Sequence, residues 1–102
     1  GWVFIRTLVV NMKAKVVSDL HRLEMLGNEA RSLLSKFLED DIFELRTIQG
    51  NNIVRILYFF DEEEIIIATN GFVKKQQKTP QSEIQLAKQR RAIYLRRKES
   101  IR

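Results

Sequence analysis

The chain has 102 residues, which leads us to expect one domain over 1–102. Its 44% hydrophobic and 30% charged residues exclude a wholly disordered chain. It has no Cys and one His, so a disulfide framework, a thiolate zinc site, a cysteine nucleophile and a two-histidine acid–base pair are all excluded. Eighteen Lys and Arg stand against 13 Asp and Glu, a net charge of +5. Residues 1–70 hold eight basic and eleven acidic side chains (−3), whereas residues 71–102 hold ten and two (+8). A basic surplus gathered at one end concerns partners more than fold. The apolar stretches at 2–10 and 65–68 fall far short of the roughly 20 residues of a membrane span. A cytoplasmic location with no membrane partner is expected.

From Asn11 to Leu26, Met12, Val16, Leu20 and Leu23 recur at helical spacing. Gly27-Asn28 ends that helix and starts another, in which Ala30, Leu33, Leu34, Phe37 and Leu38 form one apolar stripe. This predicts an N-terminal helical hairpin that stops at Glu39-Asp40-Asp41. The period then drops to two. A strand over 41–49 carries Phe43, Leu45 and Thr47 on one face and Ile42, Glu44, Arg46 and Ile48 on the other. After the Gly50-Asn51-Asn52 turn, the strand over 53–60 puts Val54, Ile56, Tyr58 and Phe60 toward a core, with Arg55, Leu57 and Phe59 opposite. Asp61–Glu63 forms a turn, and a third strand runs over 64–70 before Gly71 and Phe72-Val73-Lys74-Lys75. Thr79-Pro80 starts a last helix, with Thr79 as its cap and Glu83 in its first turn. Its apolar arc of Ile84, Leu86, Ala87, Ile93, Tyr94 and Leu95 is interrupted by Arg90 and Arg91. Trp2–Ile5 offers a further edge strand. The expectation is an α+β fold, with a helical hairpin and a C-terminal helix on a small antiparallel sheet.

Arg55 is the most informative side chain, because a guanidinium within an apolar strand needs a partner or water. One reading pairs it with Glu44 or Glu64; the other uses its fork to hold phosphate. Lys74, Lys75 and Lys78 form either a solvated loop or, with Arg46 and Arg55, an anion-binding concavity. Tyr94 lies between basic positions and is the best aromatic candidate for stacking on a base. His21 reads as a surface residue, and the acidic run 61–64 lacks the alternating spacing of a calcium loop. No cofactor or metal is expected.

Four segments then combine: Phe43-Glu44-Leu45-Arg46; Val54-Arg55-Ile56-Leu57-Tyr58-Phe59; Gly71-Phe72-Val73-Lys74-Lys75; and Lys78-Thr79-Pro80 with Glu83-Ile84 and Ala87. Together they resemble the RelE/ParE superfamily of bacterial toxins, most closely its HigB-like, phage-derived branch. The resemblance spans about residues 11–97. It implies helices on a twisted antiparallel sheet and the toxin of a type II toxin–antitoxin system. It also implies metal-independent cleavage of ribosome-bound mRNA, in which the ribose 2′-hydroxyl attacks the adjacent phosphate. Arg55 would then hold the scissile phosphate, and Lys74 and Lys75 would stabilise charge or transfer a proton. Tyr94 would stack or transfer a proton, Arg46 and Lys78 would bind the RNA backbone, and Arg90 and Arg91 would widen the RNA-binding surface. The implied partners are a helix-turn-helix antitoxin, mRNA and the ribosome. The branch often carries a histidine where this chain has Asn70, and the acidic hairpin belongs at the far end of the sheet. The alternatives are a ParE-like inhibitor of DNA gyrase and a nucleic-acid-binding module without catalysis.

Overall fold

Period-two segments bounded by turn residues dominate the middle of the chain, and they form the scaffold. The computed structural model describes residues 10–26, 35–62, 65–73 and 75–101. Helix α1 (Val10–Leu26) precedes strands β1 (Ser35–Glu39), β2 (Ile42–Gln49), β3 (Asn52–Asp61) and β4 (Ile65–Val73), and helix α2 (Gln81–Ile101) follows. The strands form one antiparallel sheet in chain order β1-β2-β3-β4.

The expected helical hairpin is not present. Its second helix would include Phe37 and Leu38, but Ser35–Glu39 is an edge strand, and residues 27–34 lie outside the described residues. The apolar spacing fits a helix equally well; pairing across the next turn decides the matter. Phe37 lies opposite Phe43 with ring centroids 5.3 Å apart. Asp40 and Asp41 close the two-residue hairpin with φ of 46° and 66°. Short carboxylate side chains tolerate this left-handed backbone. The proposed strand at Trp2–Ile5 also lies outside the described residues.

The two faces of the sheet bury two separate cores. On one, Leu45, Val54, Ile56 and Tyr58 pack against Val16 and Leu23 of α1, as their periodicities require. On the other, Ile42, Leu57 and Phe59 pack against Ala87 of α2, with Leu38, Ile67, Phe72 and Tyr94 around them. Ile67 and Phe72 lie five positions apart, so simple alternation would place them on opposite faces. A bulge resolves this: Leu57 pairs with Asn70 while Tyr58 pairs with Ala68, leaving Thr69 as the extra residue. β4 also runs through Phe72 to Val73, beyond the bend expected at Gly71.

Helix α2 is fastened to the acidic hairpin turns at its side. Lys88 reaches Glu39 and lies 2.8 Å from Asp40, and Arg91 lies 3.3 Å from Asp41. Lys98 pairs with Asp61 at 2.6 Å and Glu62 at 3.1 Å. Much of the basic charge of α2 is thereby answered within the chain. No described helix is long and apolar enough to cross a membrane.

Two outcomes follow from this packing. Leu57 is fully buried, so Leu57→Ala removes contacts that the sheet and α2 cannot refill. It should lower the unfolding free energy by about 2–5 kcal/mol in urea titration. The side of α2 should weaken in alkali. The hydrogen bonds that Lys88 donates to Asp40 and Glu39 raise its pKa above the ordinary 10.5, and those that Lys98 donates to Asp61 and Glu62 do the same for Lys98. Groups raised in the folded state stabilise it below their ordinary pKa and lose that effect as pH rises through the folded value. The melting temperature should therefore fall as pH climbs above about 10.5, and Lys98→Met should flatten part of that fall.

Candidate functional site

The buried face of β2 and β3 carries an ion pair that organises the segment leading into α2. Arg46 and Arg55 are partners in the β2–β3 register, as are Glu44 and Leu57, so all four share a face. Arg46 is exposed at the sheet surface, whereas Arg55 is 4% and Glu44 1% exposed. Arg55 Nη1 lies 3.4 Å from Glu44 Oε2 and donates to Thr79 Oγ1 at 2.9 Å. Arg55 Nη2 donates to the Gln77 carbonyl at 2.8 Å, and the Thr79 hydroxyl donates to Glu44. Of the two expected pairings, Glu44 is present; Glu64 lies outside the described residues.

This cluster has two consequences. First, the Arg55 fork, expected on phosphate, faces inward and holds the chain at Gln77 and Thr79. Second, the Thr79 hydroxyl, expected as a helix cap, is engaged with Glu44 and Arg55. The helix starts instead on Pro80, whose carbonyl accepts from the Glu83 and Ile84 amides at 3.1 and 3.3 Å. Pinning Gln77 and Thr79 fixes the short basic segment that contains them. Lys75 and Lys78 lie exposed on it; Lys74 lies outside the described residues.

Beside the segment opens a cleft of about 590 Å³ lined by Gly71, Phe72, Val73, Lys75, Gln76, Pro80 and Glu83. Gly71 and the Phe72 ring form its β4 side. Lys75 supplies positive charge, and Glu83 supplies a carboxylate. Asn70 supports the floor: it is 4% exposed, and its Nδ2 donates to Glu83 Oε1 at 2.9 Å and to the Glu83 carbonyl at 3.2 Å. The bulge residue places its Thr69 hydroxyl 2.7 Å from Asn70 Oδ1 and 3.1 Å from the Leu57 carbonyl.

The remaining expected site residues lie elsewhere. Val54 pairs with Val73 at the cleft end of the sheet and Asp61 with Ile65 at the other. Seven strand steps separate Val54 from Asp61, roughly 23 Å. Tyr94 belongs to the Asp61 end: its hydroxyl donates to Asp61 Oδ2 at 2.6 Å, and its ring meets Phe59 edge-on at 5.4 Å. The hydrogen bond to Asp61, and then burial, raise the Tyr94 pKa above its ordinary 10.0. The acidic hairpin thus sits at the far end of the sheet, as the sequence suggested, and it takes Tyr94 with it. Arg90 donates to the Thr69 carbonyl at 2.7 Å, and the Arg91 guanidinium lies 5.7 Å over the Phe59 ring while pairing with Asp41. The structure therefore brings Arg46, Arg55, Lys75 and Lys78 to one end, whereas Arg90 and Arg91 follow the helix toward Tyr94. Sequence reasoning placed Glu83 at the helix start and, as Glu83-Ile84, in the segments that carry the resemblance, but gave it no site role. Its sequence signals were that motif and its position three residues after Pro80, which follows the basic segment.

Removing one half of a buried ion pair leaves the other charge without compensation. Glu44→Leu or Arg55→Met alone should cost about 3–5 kcal/mol, and the double variant should recover most of that loss. Chemical denaturation of the four proteins measures the coupling.

Comparison with known proteins places the chain in a family. Residues 3–92 match the family described as "Phage derived protein Gp49-like (DUF891)". Two curated proteins from Mycobacterium tuberculosis, strains CDC 1551 / Oshkosh and ATCC 25618 / H37Rv, are each named "Probable endoribonuclease HigB1". Each is 37% identical to this chain over 89 residues, covering 87% of the chain and 62% of that protein. The chain thus spans less than two thirds of the length of the curated relatives it matches. No solved structure matches it. The basic segment, the cleft beside it and most of both cores lie within the matched span, and the chain belongs to the phage-derived Gp49-like family, a HigB-like branch of the RelE/ParE toxin superfamily.

Proposed function

We propose that this chain is the toxin of a type II toxin–antitoxin pair and that it cleaves ribosome-bound mRNA without a metal ion. The observation that carries this reading is the cleft, which has both Lys75 and Glu83 in its lining and adjoins a segment pinned by Arg55. The printed name of the two relatives, an endoribonuclease, favours RNA cleavage over gyrase inhibition.

Cleavage by the ribose 2′-hydroxyl brings extra negative charge onto the phosphate, so an oriented cation is the first requirement. Lys75 meets it from the cleft wall. Lys74 is assigned the same task on the strength of the resemblance. Arg46 and Lys78, exposed around the cleft end, hold the flanking RNA backbone through charge. Arg55 acts as a positioning residue through Gln77 and Thr79, because its guanidinium is buried and its Nη donors are engaged. Tyr94 docks α2 through Asp61, and Arg90 and Arg91 offer outlying contacts for ribosomal RNA or the antitoxin. The proposed partner is a helix-turn-helix antitoxin that covers or distorts the basic end. The proposed setting is the cytoplasm, where mRNA and ribosomes are met, and the proposed unit is one domain over 1–102.

Adding the purified chain to a translating extract with a defined mRNA should produce discrete fragments. Lys75→Ala should slow their formation by about 10²–10³-fold while leaving the melting temperature unchanged. Expression in cells should give truncated mRNA together with growth arrest. Arrest with intact mRNA and broken DNA would instead establish the gyrase reading.

A further inference from the structure

We infer that Glu83 is the general base of the cleft and that Asn70 positions it, an assignment that rests on the RNA-cleaving reading above. A carboxylate in the first helical turn needs no side-chain partner to favour the positive end of a helix. Glu83 nevertheless has one. Asn70, nine-tenths buried on the sheet, donates to Glu83 Oε1 at 2.9 Å and to the Glu83 carbonyl at 3.2 Å. These two bonds from one amide fix both the backbone and the carboxylate of Glu83 relative to β4. The β-bulge at Thr69 is what turns Asn70 toward α2, and the Thr69 hydroxyl at 2.7 Å holds the amide oxygen side. Both Glu83 and Lys75 line the cleft, so a base and a cation face the same space.

The step balances with these two groups alone. The RNA 2′-hydroxyl gives its proton to the Glu83 carboxylate, and O2′ forms a bond to phosphorus. The P–O5′ bond breaks, and O5′ takes a proton from the Lys75 ammonium. The products are a 2′,3′-cyclic phosphate and a 5′-hydroxyl. Water then returns the proton from Glu83 to Lys75, which restores the starting state. General base catalysis of this kind contributes about 10²–10⁴-fold. Asn70 touches no reacting atom and acts only through Glu83.

The test compares an mRNA carrying an ordinary phosphodiester with one whose scissile 5′ oxygen is replaced by sulfur. A sulfur leaving group departs without a proton, so it removes the need for an acid but not for a base. Glu83→Gln keeps an acceptor for Asn70 and should cleave both RNAs about 10²-fold or more slowly than wild type. Asn70→Ala should be slowed on both RNAs as well, and the double variant should be no slower than Glu83→Gln. Should Glu83→Gln not fold, Asn70→Ala carries the same comparison. Two results overturn the assignment while leaving RNA cleavage intact: near-wild-type rates for Glu83→Gln on the ordinary RNA, or a defect that the sulfur substrate repairs. A wild-type chain that cleaves neither RNA on ribosomes overturns the underlying reading, and the base assignment with it.

Discussion

The buried pair of Arg55 and Glu44 is the constraint on which the cleft end of the molecule depends. Two charges taken out of water are costly unless each finds several partners. Here the surrounding chain provides them: the Thr79 hydroxyl bridges both groups, and the Gln77 carbonyl accepts from Arg55. These partners reach the pair because residues 77–79 come down onto the sheet, although Arg55 Nε has no hydrogen-bond partner there. That fixes where α2 begins, and hence where Glu83 meets Asn70 and where Lys75 borders the cleft. A polar cluster in the sheet thus sets the geometry of the proposed site, whose cleft-lining groups lie outside it.

Charge is distributed with the same economy. The basic C-terminal segment could be taken for one extended polyanion surface. Instead Lys88, Arg91 and Lys98 face the acidic turns at Asp40, Asp41, Asp61 and Glu62. These pairs lie at the surface, where each adds little and salt weakens it. They answer Lys88, Arg91 and Lys98 of α2, while Arg96 and Arg97 of the same helix are exposed. The exposed cations Lys75, Lys78 and Arg46 lie at the other end of the sheet, where the proposed RNA contact would form.

Strands and helices with a clear period were legible in the residues. β2, β3, α1 and α2 lie close to where their apolar spacing put them, and the two faces of β3 are divided as alternation requires. β1 was not legible, because Phe37 and Leu38 in a short window fit a helix and a strand alike. Only the partner Phe43 across the Asp40-Asp41 turn separates the two. The bulge was hidden for a similar reason: an extra residue such as Thr69 leaves no mark on composition but reverses the faces of everything after it.

The candidate site divides along the same line. The residues alone carried the types and the neighbourhood: an arginine in an apolar strand, a basic segment after β4, and Thr79-Pro80 opening the last helix. These are local features, and local chemistry is written in sequence. Which group faces a ligand and which faces the core depends on contacts between residues far apart in the chain, and tertiary structure alone decided it. It turned Arg55 inward against Glu44, carried Tyr94 to Asp61 at the opposite end of the sheet, and drew Glu83 into the cleft through Asn70. Burial makes the difference, because a polar group removed from water must take whatever partner the fold supplies.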